Sequence, residues 1–252
     1  MHGWGAVPAA ASRRHRGAGV TVYLRVDDID GIWARHEAAG VTTTALSARP
    51  ASLALLGDAA GQRVLDAGCG AGAHAAELVK RGAHVTGLDK SAGLLAIARQ
   101  RLGAGVPLHE GDLTDPLPFP SAGFEAVLAS LVVHYLEDWG PMLAEFRRIL
   151  VPGGRLVIST HHPFMDHPLG GGPSYFATYD FTEEWTKGGQ TVLMRFWHRP
   201  LHAMTDAFQA AGFILDAMRE PEPDPAAETL FPAIYADLRT NPRFLFFRLI
   251  AP

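Results

Sequence analysis

The sequence predicts a doubly wound, mostly parallel α/β fold. From Ala45 onward, short apolar runs alternate with amphipathic stretches, which is the pattern of successive β–α–β units. The first apolar run, RVLDAG, leads into a turn with glycine at alternate positions, Gly68, Gly70 and Gly72. A glycine turn of this kind is typical of the junction between the first strand and the first helix of such folds. The chain has 252 residues, of which 48% are hydrophobic, so a large core is available.

Strands and helices can be assigned in order from these patterns. A short amphipathic helix is expected at about Pro50–Leu56, before the first strand. The expected parallel strands are RVLDAG, HVTGLD, GVPLHEGD, the stretch that begins FEAVLAS, and RLVISTHH. The helices between them are AHAAELVKRG, SAGLLAIARQRL with Ser91 as N-cap, and WGPMLAEFRRILVPGG. Beyond residue 190 we expect a strand (QTVLMRFWHR), a helix (PLHAMTDAFQAAGF), a sixth strand of the main sheet (ILDAMREP) and a last strand (PRFLFFRLIA).

Residues 1–44 form an N-terminal extension with a different pattern. Residues 1–19 are rich in alanine, glycine and arginine without periodicity, and we expect them to be disordered or loosely held. VTVYLRV then predicts a strand and DDIDGIWARHEAAG a helix. This β–α unit resembles the opening of a glyoxalase/bleomycin-resistance module. The further strands of such a module are absent from the sequence, so we interpret the unit as an incomplete fragment attached to the domain of residues 45–252.

Residues 163–190 interrupt the alternation of strands and helices. The stretch is rich in glycine and aromatic residues and lacks a clear period. A long segment of this kind is often functional, and its aromatic residues, among them Tyr175, Tyr179 and Trp185, favour a packed lid over disorder. We therefore expect an insertion that covers the substrate side of the domain.

Charge and cysteine content indicate which kinds of molecule the protein binds and in which compartment it occurs. The formal net charge is −4 at pH 7, so the sequence shows no electrostatic attraction to nucleic acid or to an anionic membrane. No apolar run is long enough to span a membrane, and the arginines near the N-terminus are not followed by the apolar segment of a secretion signal. The single cysteine, Cys69, excludes an intrachain disulfide. These features predict a cytoplasmic protein with a small-molecule partner.

The glycine turn itself fits two kinds of cofactor. GCGAGA at residues 68–73 satisfies the G-x-G-x-x-G/A pattern of dinucleotide-binding folds, and Asp89 follows at about the expected distance. Asp66, however, lies two residues before the first glycine, at the carboxyl end of the strand. A carboxylate at this point repels a pyrophosphate and attracts the ammonium group of an amino acid. Asp112, just after the third strand, can bind an adenine together with the backbone of Leu113.

These motifs together resemble those of the class I S-adenosylmethionine-dependent methyltransferases, and within them the small-molecule type 11 group. VLDAGCGAG, VTGLD, GDLTDPLPFP, LVVHYLED and ILVPGGRLVIST occur in the order and spacing of that family, and the resemblance runs from about Ala45 to the C-terminus. It implies a seven-stranded Rossmann-like sheet with an antiparallel last strand. It also implies S-adenosylmethionine as cofactor, S-adenosylhomocysteine as product, and transfer of a methyl group to a small-molecule acceptor by in-line displacement.

The resemblance also implies a set of cofactor-binding residues. Asp66 and the glycine turn would hold the methionine part of the cofactor, and Asp89 would accept hydrogen bonds from both ribose hydroxyls, with its neighbours beside the adenosine. Asp112 and Leu113 would bind the adenine, and Ser130 would lie beneath the sulfonium. The full implied set is Asp66, Gly68, Gly70, Gly72, Asp89, Lys90, Asp112, Leu113 and Ser130.

Histidines supply the candidates for chemistry on the acceptor. THHPFMDH contains three histidines and Asp166, and all of these residue types bind metals. Because His161 and His162 are neighbours in a strand, they point to opposite faces, so we expect no metal site. His134, after the fourth strand, and His162, at the end of the fifth, are the candidate catalytic residues, and either can orient the acceptor or take its proton.

Two other functions remain open at this point. A NAD(P)-dependent oxidoreductase would use the same kind of sheet, although the sequence contains no Tyr-x-x-x-Lys pair for proton donation. A non-catalytic protein that binds adenosyl ligands would keep the cofactor site without turnover. The sequence also leaves the methylated atom and the oligomeric state open.

Overall fold

The structure is a computed structural model that describes residues 48–252, apart from 171, 173, 188–189, 226–227 and 230–231. The predicted N-terminal extension, including the fragment that resembles a glyoxalase module, lies outside these residues. Within the described part of the chain, no helix is long and apolar enough to cross a membrane.

Strands and helices alternate as the sequence predicts. Helix α1 (Arg49–Leu56) precedes β1 (Arg63–Ala67), α2 (Ala73–Lys80), β2 (His84–Asp89), α3 (Ala92–Leu102), β3 (Leu108–Glu110) and β4 (Phe124–Ser130). A 3₁₀ turn at Val133–Tyr135 leads to α4 (Gly140–Ile149), β5 (Leu150–His161) and α5 (Pro163–Gly170). The remaining elements are β6 (Tyr179–Lys187), β7 (Gln190–His198), α6 (Leu201–Ala210), β8 (Ile214–Arg219), α7 (Pro232–Thr240) and β9 (Phe244–Ile250).

Seven strands form one sheet in the order β3-β2-β1-β4-β5-β9-β8. β1 pairs in parallel with β2 and β4, whereas β9 pairs antiparallel with β5 and β8. The predicted mostly parallel seven-stranded sheet with an antiparallel last strand is therefore confirmed. The chain reverses its direction of progress across the sheet between β1 and β4. At such a switch point the carboxyl ends of the strands border a crevice in which ligands bind.

Two buried apolar layers cover the faces of the sheet. One layer packs α4 and α6 against the face that carries Leu65, Ile158 and Phe247. The other packs α1 and α2 against the face that carries Val64 and Leu128. Because side chains alternate along a strand, Asp66 of β1 points into the second layer, towards α1 and α2.

β6 and β7 form a separate antiparallel hairpin. The stretch 163–190, which shows no clear period in the sequence, therefore contains a helix (α5) and a strand (β6). The register of β6 comes from its pairing with β7, which lies beyond that stretch except for its first residue. Phe181 and Phe196 of the hairpin are buried with Met194, and Tyr135 of the 3₁₀ turn packs against them. The hairpin thus sits against the chain segment that follows β4.

Truncation of Phe247 tests the first apolar layer. Its side chain is fully buried, and its ring lies 5.0 Å from that of Phe208 in α6. Phe247→Ala leaves a cavity, so we expect urea denaturation to show a free energy of unfolding lower by about 3–5 kcal/mol. Phe176→Ala, at a side chain that is 74% exposed, should change it by less than about 0.5 kcal/mol. Equal losses in the two variants would contradict this packing.

Candidate functional site

The end of β2 holds the glycine turn that joins β1 to α2. The carbonyl oxygen of Leu88 accepts hydrogen bonds from the backbone N–H groups of Gly68 and its successor, at 2.7 and 3.0 Å. Asp89 Oδ2 accepts a third from the N–H of Gly70, at 2.8 Å. All three glycines of the turn have positive φ angles, a conformation that glycine adopts without steric cost. The turn is therefore fixed at the carboxyl ends of β1 and β2.

The glycines of the turn differ in what surrounds them. A Cβ atom at Gly68 would lie 2.6 Å from Cγ2 of Val132, so the turn and the segment after β4 are in close contact there. At Gly70 no heavy atom lies within 4 Å of the Cβ position among those described. The turn therefore touches protein on one side and is open on the other, as a cradle for a closely approaching ligand requires.

Gly68→Ala tests the close approach of the turn to Val132. We expect a loss of about 1–2 kcal/mol from the left-handed backbone and a further loss of about 1–3 kcal/mol from the overlap with Val132. Denaturation measures the change in stability. Gly105→Ala is the matched control, because its Cβ would meet nothing within 4 Å and its φ is not positive. If the two alanines have the same effect, the turn is not constrained as described.

Asp66 is buried, and one of its carboxylate oxygens accepts no hydrogen bond within the described part of the chain. Its residue is 1% exposed, and its Oδ2 has no hydrogen-bond partner in the described part of the chain. Burial, and to a lesser degree the charge of Asp89, raise the pKa of Asp66 to about 7, against the opposing effects of the Ala75 N–H and Arg49. A cation that approached this oxygen would stabilise the charged form.

Arg49 and His74 are site residues that the sequence reasoning missed. Nε2 of His74 is buried without a partner in the described chain. Burial, and then the charge of Arg49, lower the pKa of His74 to about 3, so its imidazole is neutral at physiological pH. Arg49 begins α1 and His74 lies in the first turn of α2. The only sequence signals are a basic residue before Pro50 and a histidine just after the glycine turn.

The acidic residues at the end of β2 and after β3 can accept further hydrogen bonds from a ligand. Asp89 accepts the N–H of Gly70 with Oδ2 and the N–H of Ser91 with Oδ1; burial raises its pKa against these bonds. Burial acts to raise the pKa of Asp112, but two hydrogen bonds from Thr114 and the charge of Lys90 outweigh it, and this pKa is lowered. Each carboxylate oxygen can accept further hydrogen bonds.

Leu113 and Lys90 differ in exposure. Leu113 is buried in the first apolar layer, which leaves its backbone as the group available to a ligand. Lys90 is exposed, and its charge acts on both Asp89 and Asp112.

Ser130 belongs to a chain of hydroxyl groups at the end of β4. Its Oγ lies 3.2 Å from that of Ser52 in α1 and 3.0 Å from that of Ser159 in β5. The next residue, Leu131, has a positive φ of 53°, and its N–H donates to the backbone oxygen and to Oγ of Ser159. A non-glycine residue in this conformation is strained, and such strain clusters at ligand sites.

The structure pairs His134 with His161 and places His162 elsewhere. The rings of His134 and His161 are stacked, with centroids 3.9 Å apart and an interplanar angle of 15°. Nε2 of His162 lies 2.8 Å from Oε1 of Glu220, and its Nδ1 accepts a hydrogen bond from the Phe164 N–H. The catalytic roles of His134 and His162 stay predictions. Among the described residues no cluster of three or more potential metal ligands is found.

The fold and the site together define a class. A sheet of this strand order, a glycine turn after β1 and an acidic residue at the end of β2 make a class I S-adenosylmethionine-dependent methyltransferase fold. Residues 65–158 match the family model described as a methyltransferase domain. These residues, 94 of the 252, are therefore similar to a methyltransferase domain.

Comparisons with individual proteins agree on methyl transfer and differ in the acceptor. The chain is 41% identical over 100 residues to a malonyl-[acyl-carrier protein] O-methyltransferase from Serratia marcescens. The aligned residues make up 40% of this chain and 38% of that protein. It is 33% identical over 166 residues to a ribosomal RNA small subunit methyltransferase C from Chromohalobacter salexigens, covering 64% of this chain and 47% of that protein. The chain thus spans less than half the length of these curated relatives.

A solved structure covers more of the chain than these relatives do. The crystal structure of an S-adenosylmethionine-dependent methyltransferase from Mesorhizobium loti superposes with a TM-score of 0.65 at 26% sequence identity. The match covers 84% of this chain and 99% of that one.

Proposed function

We propose that this chain transfers a methyl group from S-adenosylmethionine to a small-molecule acceptor. The observation that carries the proposal is the buried carboxylate of Asp66, whose Oδ2 has no partner among the described residues and which lies beside an open glycine turn. A buried carboxylate is costly without a counter-charge, and the ammonium group of the methionine part supplies one. The residues present therefore fit the cofactor.

The opposite charge of the methionine part has its own partners. Arg49 acts electrostatically on both Asp66 and His74, so the three side chains are neighbours. The guanidinium of Arg49 and the unpartnered Nε2 of His74 suit the cofactor's carboxylate group, because both can donate hydrogen bonds to an anion. Acidic and basic groups side by side match the two charges of an amino acid.

The remaining cofactor contacts follow the carboxyl edge of the sheet. We assign the ribose diol to Asp89, whose two oxygens each keep a free acceptor site. We assign the adenine to Asp112 and the Leu113 backbone, with Lys90 beside them. Ser130, at the end of β4, is assigned to the sulfonium side, where its hydroxyl is held between those of Ser52 and Ser159.

The bound cofactor supplies a methyl group on a positively charged sulfur, which is an activated leaving group. The protein therefore contributes chiefly by positioning the reactants and excluding water. The turn at Gly68 and the strained backbone at Leu131 position the reactants. The hairpin β6–β7, packed on the 3₁₀ turn, excludes water.

A small molecule is the acceptor class that the charge favours. The net charge of −4 gives no general attraction to a polyanion such as RNA. In the segment that follows β4, Tyr135 packs on the buried Phe196 of the hairpin and is itself partly exposed, so its ring suits an apolar compound. The competing oxidoreductase function is disfavoured, because the Asp66 carboxylate would repel a dinucleotide's pyrophosphate.

Calorimetric titration with S-adenosylhomocysteine tests the cofactor assignment. We expect the protein to bind this product and not NAD or NADH. Asp89→Ala removes the proposed ribose acceptor and the support of Gly70, so we expect at least about a tenfold loss of affinity, equivalent to one charge-assisted hydrogen bond. Asp115→Ala, at an exposed acidic residue nearby, is the control and should bind normally. NAD binding without S-adenosylhomocysteine binding would support the oxidoreductase instead.

The pH dependence of that affinity tests the role of Asp66. Below about pH 7 its carboxyl holds a proton in the ligand-free protein, and the proton must leave before the carboxylate can pair with an ammonium group. Affinity should therefore rise by up to about tenfold per pH unit between about pH 5 and 7 and then level off. His74 stays neutral throughout this range. Asp66→Asn should bind more weakly and lack this rise; an unchanged profile in the variant would exclude Asp66 as the source.

A further inference from the structure

Four aromatic rings from three elements meet near the cofactor-binding edge. His134 of the 3₁₀ turn lies flat against His161 of β5. Phe196 of β7 contacts both imidazoles, with centroids at 5.4 and 4.9 Å, and Tyr135 packs on His134 at 4.5 Å. Burial and then the Asp89 carboxylate raise the pKa of Tyr135, so this aromatic cluster adjoins the residue to which we assign the ribose.

Asp166 of α5 lies beside the ring of His161. Its Oδ1 lies 3.3 Å from Nδ1 of His161, and its side chain is only 8% exposed. A carboxylate beside Nδ1 favours the tautomer that carries its proton there, which leaves the lone pair on Nε2. Within the described chain, Nε2 of His161 makes no hydrogen bond. His161 therefore offers an available proton acceptor while its other nitrogen faces a buried negative charge.

The other titratable groups near Asp166 do not engage this acceptor. The charge of Asp166 also acts on His198 and Tyr179 of the hairpin. His167 lies next to Asp166 in the chain, and its Nδ1 is 2.9 Å from the Tyr179 hydroxyl. Nε2 of His198 faces a backbone carbonyl at 2.8 Å. These contacts fix the surroundings of Asp166 and leave Nε2 of His161 unused.

The two neighbouring histidines lack this arrangement. His134 is 3% exposed, and its Nδ1 has no partner in the described structure. Burial, and then the charge of His161, hold the pKa of His134 well below its usual value. It therefore stays neutral and can lie against a protonated ring without charge repulsion. His162 has both nitrogens engaged, by Glu220 and by the backbone of Phe164.

We propose that His161 is the catalytic residue that takes a proton from the acceptor, that Asp166 positions it, and that the acceptor is an aromatic hydroxyl compound. This inference rests on the function proposed above. Tyr135 and His161 are the partly exposed rings of the cluster, and they suit an aromatic acceptor, because aromatic rings pack on one another by offset and edge contacts. His134 and Phe196 are buried behind them. A neutral aromatic hydroxyl is a weak nucleophile until a base removes its proton, which is the task that the free Nε2 performs.

The proposed step balances in atoms and charge. The oxygen–hydrogen bond of the acceptor breaks and its proton moves to Nε2 of His161, while an oxygen electron pair forms the bond to the methyl carbon. The electron pair of the broken carbon–sulfur bond stays on sulfur. The positive charge thus passes from sulfur to the imidazolium, where Asp166 stabilises it. The imidazolium then loses its proton to water when the products leave.

The proton acceptor can be tested without turnover. Protein loaded with S-adenosylhomocysteine, which has no methyl group to transfer, is titrated with para-nitrophenol, whose ionised form absorbs at longer wavelength than its neutral form. At a pH where the free probe is mostly neutral, we expect the bound probe to show the absorption of the ionised form. His161→Gln should bind the probe and lose this absorption, and Asp166→Asn should weaken it. His84→Gln, at an exposed histidine that begins β2, is the control and should match the unsubstituted protein.

Each contrary outcome would overturn a different part of the proposal. Failure to bind S-adenosylhomocysteine would overturn the proposed function itself. Normal binding of S-adenosylhomocysteine without binding of para-nitrophenol would overturn the aromatic acceptor alone. Equal absorption by the ionised probe in the unsubstituted and His161→Gln proteins would overturn the role of His161 and leave the methyltransferase function intact.

Discussion

The site depends on one electrostatic constraint, the burial of the Asp66 carboxylate. A carboxylate taken out of water is destabilising unless charges or hydrogen bonds compensate it, and one oxygen of this group has no partner in the described chain. The rest of the site is arranged around it. The glycine turn passes beside it, the end of β2 holds that turn through Leu88 and Asp89, and Arg49 brings positive charge from α1. The burial of this carboxylate thereby lowers the stability of the ligand-free protein, and a cation that paired with it would offset that cost.

Much of the fold was predictable because its signals are local. Apolar runs of strand length, helix-length amphipathic stretches and the turn at Gly68 each occupy a short continuous segment, so the alternating β–α–β units and the doubly wound sheet followed from their succession. The antiparallel last strand was implied by the family resemblance. The placement of the residues proposed for the cofactor was predictable for the same reason: parallel strands bring their carboxyl ends to one edge, where Asp66, Asp89 and Asp112 lie near the ends of β1, β2 and β3. The hairpin was only half predicted, because the pattern of β6 is weak without its partner β7.

The acceptor side was less predictable because its contacts are non-local. Strand alternation shows that His161 and His162 point apart, but it does not show which one meets His134. That depends on α5, which brings Asp166 to His161, and on the chain after β8, which brings Glu220 to His162. Arg49 and His74 were missed for a similar reason. Their roles follow from the packing of α1 against α2, and neither residue belongs to a recognisable motif.

The hairpin β6–β7 has an evolutionary consequence. The residues assigned to the cofactor come from the chain between Arg49 and Ser130, whereas Phe196 and the other hairpin aromatics come from a later, separate stretch. Substitutions, insertions or exchanges in the hairpin can therefore change the shape presented to the acceptor without disturbing the earlier segment. Because the two sets of residues occupy separate stretches of the chain, the proposed acceptor side can vary in sequence and length independently of the proposed donor site.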